Sequence, residues 1–107
     1  MDAGAGGAFP SLMPRRDEPQ IGLSKAIRQL RVEFHLSQEA LGLRADIHPT
    51  WISHIESGRV NPTWGNVRRI ANGLRVPLPK LAALAEDFEA KHANGTAPRP
   101  ENGDGGR

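Results

Sequence analysis

The sequence predicts an all-α protein of five helices, and three observations support this prediction. Apolar residues recur at helical spacing, for example at i, i+4, i+7 and i+11 in Leu23, Ile27, Leu30 and Phe34. The periodic stretches are separated by residues that begin or end helices, among them Ser37, Pro49 and Gly58. No stretch shows the alternation of apolar and polar residues that is typical of a β-strand.

The first helix is predicted from about Leu23 to Phe34, with Ser24 or Gly22 as the residue that caps its start. His35 follows at the position where many helices end in the left-handed conformation. Glycine adopts that conformation without strain, whereas histidine adopts it at some cost. We therefore expect the first helix to stop at His35 in a left-handed residue.

The second and third helices are short and are separated by a tight turn. Ser37 supplies a capping oxygen for a helix from Gln38 to about Ala45, and Asp46 in the turn is expected to be left-handed. The third helix begins at Pro49, whose fixed φ suits the first helical position, and Gly58 ends it. The side chains predicted to face inward are Ala40, Leu41, Ile52 and Ile55.

The fourth and fifth helices are separated by a proline-containing break at residues 76–79. The turn Asn61-Pro62-Thr63 caps a fourth helix from Trp64 to Leu74, and Trp64 is expected to lie partly buried over that turn. The fifth helix is predicted from about Pro79 to Lys91. Its apolar stripe consists of Leu81, Leu84, Ala85 and Phe88.

The chain is predicted to contain one domain, residues 21–91, between two disordered tails, residues 1–20 and 92–107. Both tails are rich in Gly and Pro and lack apolar periodicity. Residues 21–80 contain nine Lys and Arg against four Asp and Glu, a formal charge of +5, whereas both ends are acidic. A basic body with acidic ends fits a domain that binds a polyanion, although a solvated basic surface is also common.

Several classes of protein are excluded by what the sequence lacks. Without cysteine there is no disulfide, no zinc finger and no thiol nucleophile. The four histidines show no metal-binding spacing and no carboxylates pair at a plausible site, so we expect no enzyme, no metal and no cofactor. Neither a signal peptide nor a membrane-spanning stretch is found, which predicts a cytoplasmic protein without membrane contact.

Five motifs, in order and correctly spaced between about residues 22 and 81, resemble the Cro/C1-type (XRE) family of helix-turn-helix regulators, to which lambdoid phage repressors belong. The motifs are Ile27-Arg28-x-Leu30-Arg31, Leu36-Ser37-Gln38-x-x-Leu41, Ile52-Ser53-x-Ile55-Glu56-x-Gly58, Asn61-Pro62-Thr63, and Ile70-Ala71-x-x-Leu74-x-Val76 with Leu81. Each motif is weak by itself, and their combination is a specific signal.

The resemblance implies a compact five-helix, lambda-repressor-like DNA-binding domain in which the second and third helices form the helix-turn-helix. It also implies a nucleoid-associated bacterial regulator, a repressor in the simplest case, that binds double-stranded operator DNA as a homodimer. Arg31 and Glu56 are at the positions of a structural ion pair of the family. The chain departs from the family at Gly42, His35 and Asp46, where Ala, Gly and Gly are common. Gly42 is expected to relieve crowding beneath the third helix.

The resemblance also implies which residues contact DNA, because the third helix would lie in the major groove. The predicted base contacts are Pro49, Thr50 and His54. The predicted backbone contacts are Gln38, Trp51, Ser53, Arg59 and Asn61. Two of these residues have a second interpretation. His54 is about equally well explained as an exposed polar residue without a DNA contact, and Trp51 could pack over the second helix.

Two other functions retain the same motif. The first is an antitoxin or another partner-binding module, in which the main role is contact with an unidentified protein and Leu84 and Phe88 provide the apolar surface. The second is a control protein of a restriction system, which would also be a DNA-binding dimer.

Overall fold

The structure, a computed structural model, describes residues 18–95, and side chains through residue 93. Within that range the chain forms five α-helices and no β-strand, which confirms the predicted all-α class. The helices are α1 (Ile21–Glu33), α2 (Gln38–Ala45), α3 (Pro49–Glu56), α4 (Trp64–Leu74) and α5 (Leu78–Gly95). Most of the two predicted tails, residues 1–17 and 96–107, lies outside the described residues.

The start of α1 is capped by a distant residue, and the prediction that Ser24 or Gly22 would cap it was wrong. Both residues lie inside the helix, and the N-cap residue Gln20 forms no side-chain cap. The carboxylate of Glu89 in α5 instead accepts the N–H of Gly22 over 2.6 Å. The hydroxyl of Ser24 is buried and donates to the carbonyl of Ile55 over 2.7 Å. A negative charge is therefore held at the positive end of the α1 dipole.

The close contact between α1 and α5 explains why residue 22 is a glycine. A Cβ atom at Gly22 would overlap the carbonyl oxygen of Ala85 and the side chain of Glu89. The backbones of α1 and α5 can approach this closely only because no side chain separates them. The fifth helix begins one residue before its predicted start and ends four residues after its predicted end, at Gly95.

Two predicted helix caps and two predicted left-handed residues are found where the local sequence placed them. The hydroxyls of Ser37 and Thr63 each accept the N–H three residues onward, over 2.9 and 3.1 Å. His35 and Asp46 are left-handed, with φ of 58° and 59°. Arg75, at the end of α4, is left-handed as well (φ 62°), which the sequence did not indicate.

The core is built from apolar side chains of all five helices. The largest fully buried ones are Ile27, Leu41, Ile52, Ile70, Leu74 and Leu81. Trp64 is not part of this core, and the prediction that it would be partly buried was wrong, because 65% of its surface is exposed. The reason is its place at the first position of α4, whose buried residues begin only at Ile70.

The turn between α2 and α3 depends on Gly42. A Cβ atom at this position would overlap the carbonyl oxygen of Ile47. The N–H of Ile47 in turn donates to the carbonyl of Gly42 over 2.9 Å, and the left-handed Asp46 lies between them. The crowding that Gly42 relieves therefore comes from the turn backbone, and this close approach sets the position at which α3 begins.

Candidate nucleic-acid interface

The third helix has one buried side and one outward side. Ile52 and Ile55 anchor it to the core, with 0% and 2% of their surface exposed. Its first turn is capped by His48, whose Nδ1 accepts the N–H of Thr50 over 3.1 Å, a contact that the sequence did not predict. Apart from Glu56, whose side chain is buried, the other residues of α3 are exposed or half-buried, namely Pro49, Thr50, Trp51, Ser53 and His54. These five include all three predicted base contacts.

The end of α3 is tied to α1 by the two residues expected to form an ion pair. The guanidinium of Arg31 donates from Nε to Glu56 Oε2 over 2.6 Å and from Nη2 to Oε1 over 3.0 Å. Its third nitrogen donates to the carbonyl of Leu36 over 2.7 Å. The side chain of Glu56 is only 4% exposed, so its charge depends on this bidentate partner.

Gln38, the predicted phosphate ligand, is held by the same carboxylate. Its side-chain Nε2 donates to Glu56 Oε1 over 3.1 Å, and the residue is half-buried at the first position of α2. A primary amide has two N–H groups, so the bond to Glu56 leaves one for another acceptor. The structure thus fixes the Gln38 amide beside the N-terminal end of α2, where backbone N–H groups and the helix dipole favour an anion.

A cleft of about 400 Å³ separates the beginning of α3 from the beginning of α4. Trp51 forms one wall, and Asn66 and Arg69 of α4 lie opposite. Because Thr63, Asn66 and Arg69 are three residues apart, they share one side of α4. This spacing is the signal in the sequence that could have placed Arg69 at the cleft.

The loop between α3 and α4 contains the other two predicted backbone contacts. Arg59 is exposed directly after α3. Asn61 is half-buried, and its side-chain amide donates to the carbonyl of Glu18 over 2.7 Å. The segment before α1 therefore runs beside this loop, an arrangement that the sequence did not predict.

Four exposed arginines lie on α2, on α4 and in the loop after α3, namely Arg44, Arg59, Arg68 and Arg69. Arg59 directly follows α3, and Arg69 lines the cleft beside it. Within residues 18–95 no three His, Cys, Asp or Glu side chains converge in a way that could hold a metal ion. No helix in that part of the chain is long and apolar enough to cross a membrane.

Comparison with known protein families identifies the family to which these helices belong. A family model described as a helix-turn-helix domain matches residues 23–84, which include most of α1 and all of α2, α3 and α4. The chain belongs to the helix-turn-helix family. Within this motif α2 is the first helix and α3 is the second helix.

Relatives of this helix-turn-helix chain include proteins that control restriction systems. It is 39% identical over 51 residues to the control protein C.BamHI of Bacillus amyloliquefaciens, covering 47% of the chain and 63% of that protein. The chain thus spans less than two thirds of that relative. The solved restriction-modification controller protein C.Esp1396I superposes with a TM-score of 0.65 at 27% identity, over 68% of this chain and 95% of that one.

A third structure shows the same fold at lower identity. The clp gene regulator ClgR from Corynebacterium glutamicum superposes with a TM-score of 0.68 over 72% of this chain and 82% of that one, at 18% identity. The present chain therefore shares its fold with a protein of low sequence identity. What distinguishes this chain from others with the same fold is the set of side chains exposed on α3, on the loop after it and at the start of α2.

Proposed function

We propose that this protein binds double-stranded DNA sequence-specifically and regulates transcription as a homodimer. The observation that supports this most directly is the outward side of α3. There Thr50 is exposed and His54 is half-buried, while Ile52 and Ile55 hold the opposite side in the core. An α-helix fits the major groove of B-form DNA, and a helix anchored in this way presents a fixed set of polar groups to the base edges.

The proposed base contacts follow from the chemistry of three side chains. Thr50 offers a hydroxyl to a base edge and a methyl group to thymine. The imidazole of His54 can donate to an acceptor of guanine, and among the described residues its ring nitrogens make no hydrogen bond within the protein. Pro49 has no N–H and contributes a contact of shape only.

The proposed backbone contacts position the motif on the duplex without reading sequence. Gln38 binds a phosphate with its free amide N–H, next to the N-terminal end of α2. Trp51 and Ser53 line the sides of α3, and Arg59 and Asn61 follow the adjacent phosphates along the loop. The exposed Arg69, across the cleft from Trp51, extends this basic surface.

The proposed operator is a pseudo-palindrome. A two-fold dimer with one α3 per protomer requires two half-sites about one helical turn, roughly 34 Å, apart. The simplest regulation is repression, because a dimer bound over a promoter excludes polymerase. Acting in this way, the protein would be associated with the nucleoid.

The relatives give this proposal a more specific form. C.BamHI and C.Esp1396I are named as a control protein and a restriction-modification controller. The first of these is 39% identical to this chain over 51 residues. We therefore favour a controller of this type over an antitoxin. The partner-binding alternative named Leu84 and Phe88 as its apolar surface, and both are partly buried against the core. A different apolar side chain, Leu43, is 85% exposed.

Selection of bound duplexes from a random pool at moderate salt tests the proposal. Enrichment of a two-fold symmetric motif is expected, with complexes of two protomers per duplex. If the folded protein enriches no motif, sequence-specific regulation is excluded and the partner-binding alternative gains support. Enrichment of an asymmetric motif by single protomers would retain DNA recognition and exclude the dimer.

A further inference from the structure

Trp51 and His54 form an aromatic pair on the surface of α3. Their ring centroids are 5.9 Å apart and their planes meet at 77°, an edge-to-face arrangement. Residues three apart on a helix are neighbours, so this pair is formed within α3 itself. Edge-to-face geometry is the arrangement that aromatic rings favour, because the positive edge of one ring meets the negative face of the other.

The surroundings of Trp51 suggest a role beyond packing. The side chain is 53% exposed, so it is not a core residue. On the side of the cleft it lies near Ile55 and Val60. Trp51 therefore borders the outward side of α3, between the cleft and the imidazole of His54.

The pairing has a direct consequence for His54. A lone imidazole on a helix surface can change rotamer freely, and each orientation directs different ring atoms outward. No hydrogen bond to the imidazole exists among residues 18–95, and its edge-to-face contact with the indole ring favours one orientation. A side chain ordered before binding loses less conformational entropy when it binds.

We propose that Trp51 is a positioning residue that orients the His54 imidazole and thereby sets the base preference at the position that His54 reads. This inference rests on the proposed function, since it requires that α3 read base edges. It goes beyond a backbone contact by Trp51, because a backbone contact changes the affinity for all sequences and leaves base preferences unchanged.

The test uses the full chain and the motif that it selects. Affinities for all four base pairs at each motif position are measured for the wild type, W51A, W51F, H54A and the double variant. The matched control is W64A, which removes the other exposed tryptophan, 65% exposed and outside the pair. Circular dichroism and thermal unfolding check that each variant is folded.

We expect H54A to abolish the base preference at one position of each half-site. W51A should weaken the preference at that same position by about 3- to 10-fold, the scale of an aromatic pair. W51F should restore most of it because a ring is retained, and the double variant should match H54A. W64A should leave the base preferences unchanged.

Two outcomes would overturn the inference and can be told apart. If the wild type enriches a motif but W51A lowers the affinity for every sequence equally, Trp51 contacts only the backbone and the proposed function stands. If the wild type enriches no motif at all, the proposed function and the inference fail together. An effect of W51A at a position different from that of H54A would also contradict the coupling.

Discussion

The side-chain amide of Gln38 donates to the carboxylate of Glu56 over 3.1 Å, which bonds the first residue of α2 to the last residue of α3. The same carboxylate accepts two hydrogen bonds from Arg31 in α1. One buried charge therefore fixes three elements relative to one another. The Glu56 carboxylate therefore positions both Gln38, the residue proposed to bind a phosphate, and α3, the helix proposed to read bases.

The first prediction concerns the ion pair between Arg31 and the buried Glu56. Replacing Arg31 by Leu leaves the Glu56 carboxylate buried, with Gln38 as its one remaining side-chain partner among residues 18–95. We expect a loss of about 3 kcal/mol in the free energy of unfolding. The double variant R31L/E56L should lose less, because no uncompensated charge remains. Urea denaturation measures both. The control R68A, at an exposed arginine, should change stability by no more than about 0.5 kcal/mol.

A result in which R31L is no more destabilising than R68A would show that the ion pair does not contribute to stability. A double variant that is less stable than R31L would show that Glu56 has partners more important than Arg31.

The second prediction concerns the outward side of α3. Replacing Thr50 or His54 by Ala removes a proposed base contact and should weaken specific binding by about 1–3 kcal/mol for each productive contact. Binding to unrelated duplexes should be nearly unchanged, since phosphate contacts are retained. Competition titrations with selected and unrelated duplexes measure the two affinities. A parallel fall of both would remove these residues from base recognition.

The third prediction concerns Arg59. Replacement by Ala should weaken binding to all sequences and reduce the slope of the logarithm of affinity against the logarithm of salt concentration by about 1. The matched control is R28A, which removes an exposed arginine of α1 that lines a groove beside Phe88 of α5. Titrations at several salt concentrations measure the slope. If R59A and R28A have the same slope as the wild type, Arg59 does not contact a phosphate.

The fourth prediction concerns Gly42 and the turn that positions α3. Alanine favours a helix interior over glycine by about 1 kcal/mol. At Gly42, however, the added methyl group meets the carbonyl oxygen of Ile47, so we expect G42A to destabilise the fold by about 1–3 kcal/mol. The control is G65A, where the nearest atom to an added Cβ is the Thr63 hydroxyl at 3.9 Å.

Thermal unfolding distinguishes the two glycines. G65A should unfold at the same temperature as the wild type or higher, and G42A should unfold at a lower temperature. A G42A variant as stable as G65A would mean that the turn can move away from the methyl group, and the close approach would then not constrain α3.

The features that the sequence predicted correctly are those with local causes. The bounds of α2 and α4 follow from capping side chains three residues from the N–H groups that they bind. The left-handed conformations of His35 and Asp46 follow from their places directly after helical stretches. Such signals depend on only a few neighbouring residues, so they can be recognised in the sequence without knowledge of the tertiary structure.

Several of the features that were missed depend on contacts between distant residues. The cap of α1 comes from Glu89, 67 positions from Gly22, and no local pattern indicates it. The bond between Gln38 and Glu56 likewise joins two helices. Trp64 was wrongly expected to be partly buried because the periodicity of a helix does not show where the core ends along its axis.

The residues of the candidate site come from the sequence, whereas their arrangement comes from the structure, and their contacts with DNA stay a prediction. The motif spacing placed Thr50 and His54 on one side of α3, where Thr50 is exposed and His54 is half-buried. The edge-to-face contact between Trp51 and His54 depends on side-chain rotamers, which the sequence does not specify.

The central claim is that α3 reads base edges in the major groove at two symmetric half-sites. Dimethyl sulfate interference on the selected duplex tests it most directly, because the reagent methylates guanine N7 in the major groove and adenine N3 in the minor groove. We expect two symmetric clusters of interfering guanines about one helical turn apart, with one guanine per half-site lost from the pattern in H54A. Interference confined to adenines, or a pattern that H54A does not change, would contradict the account.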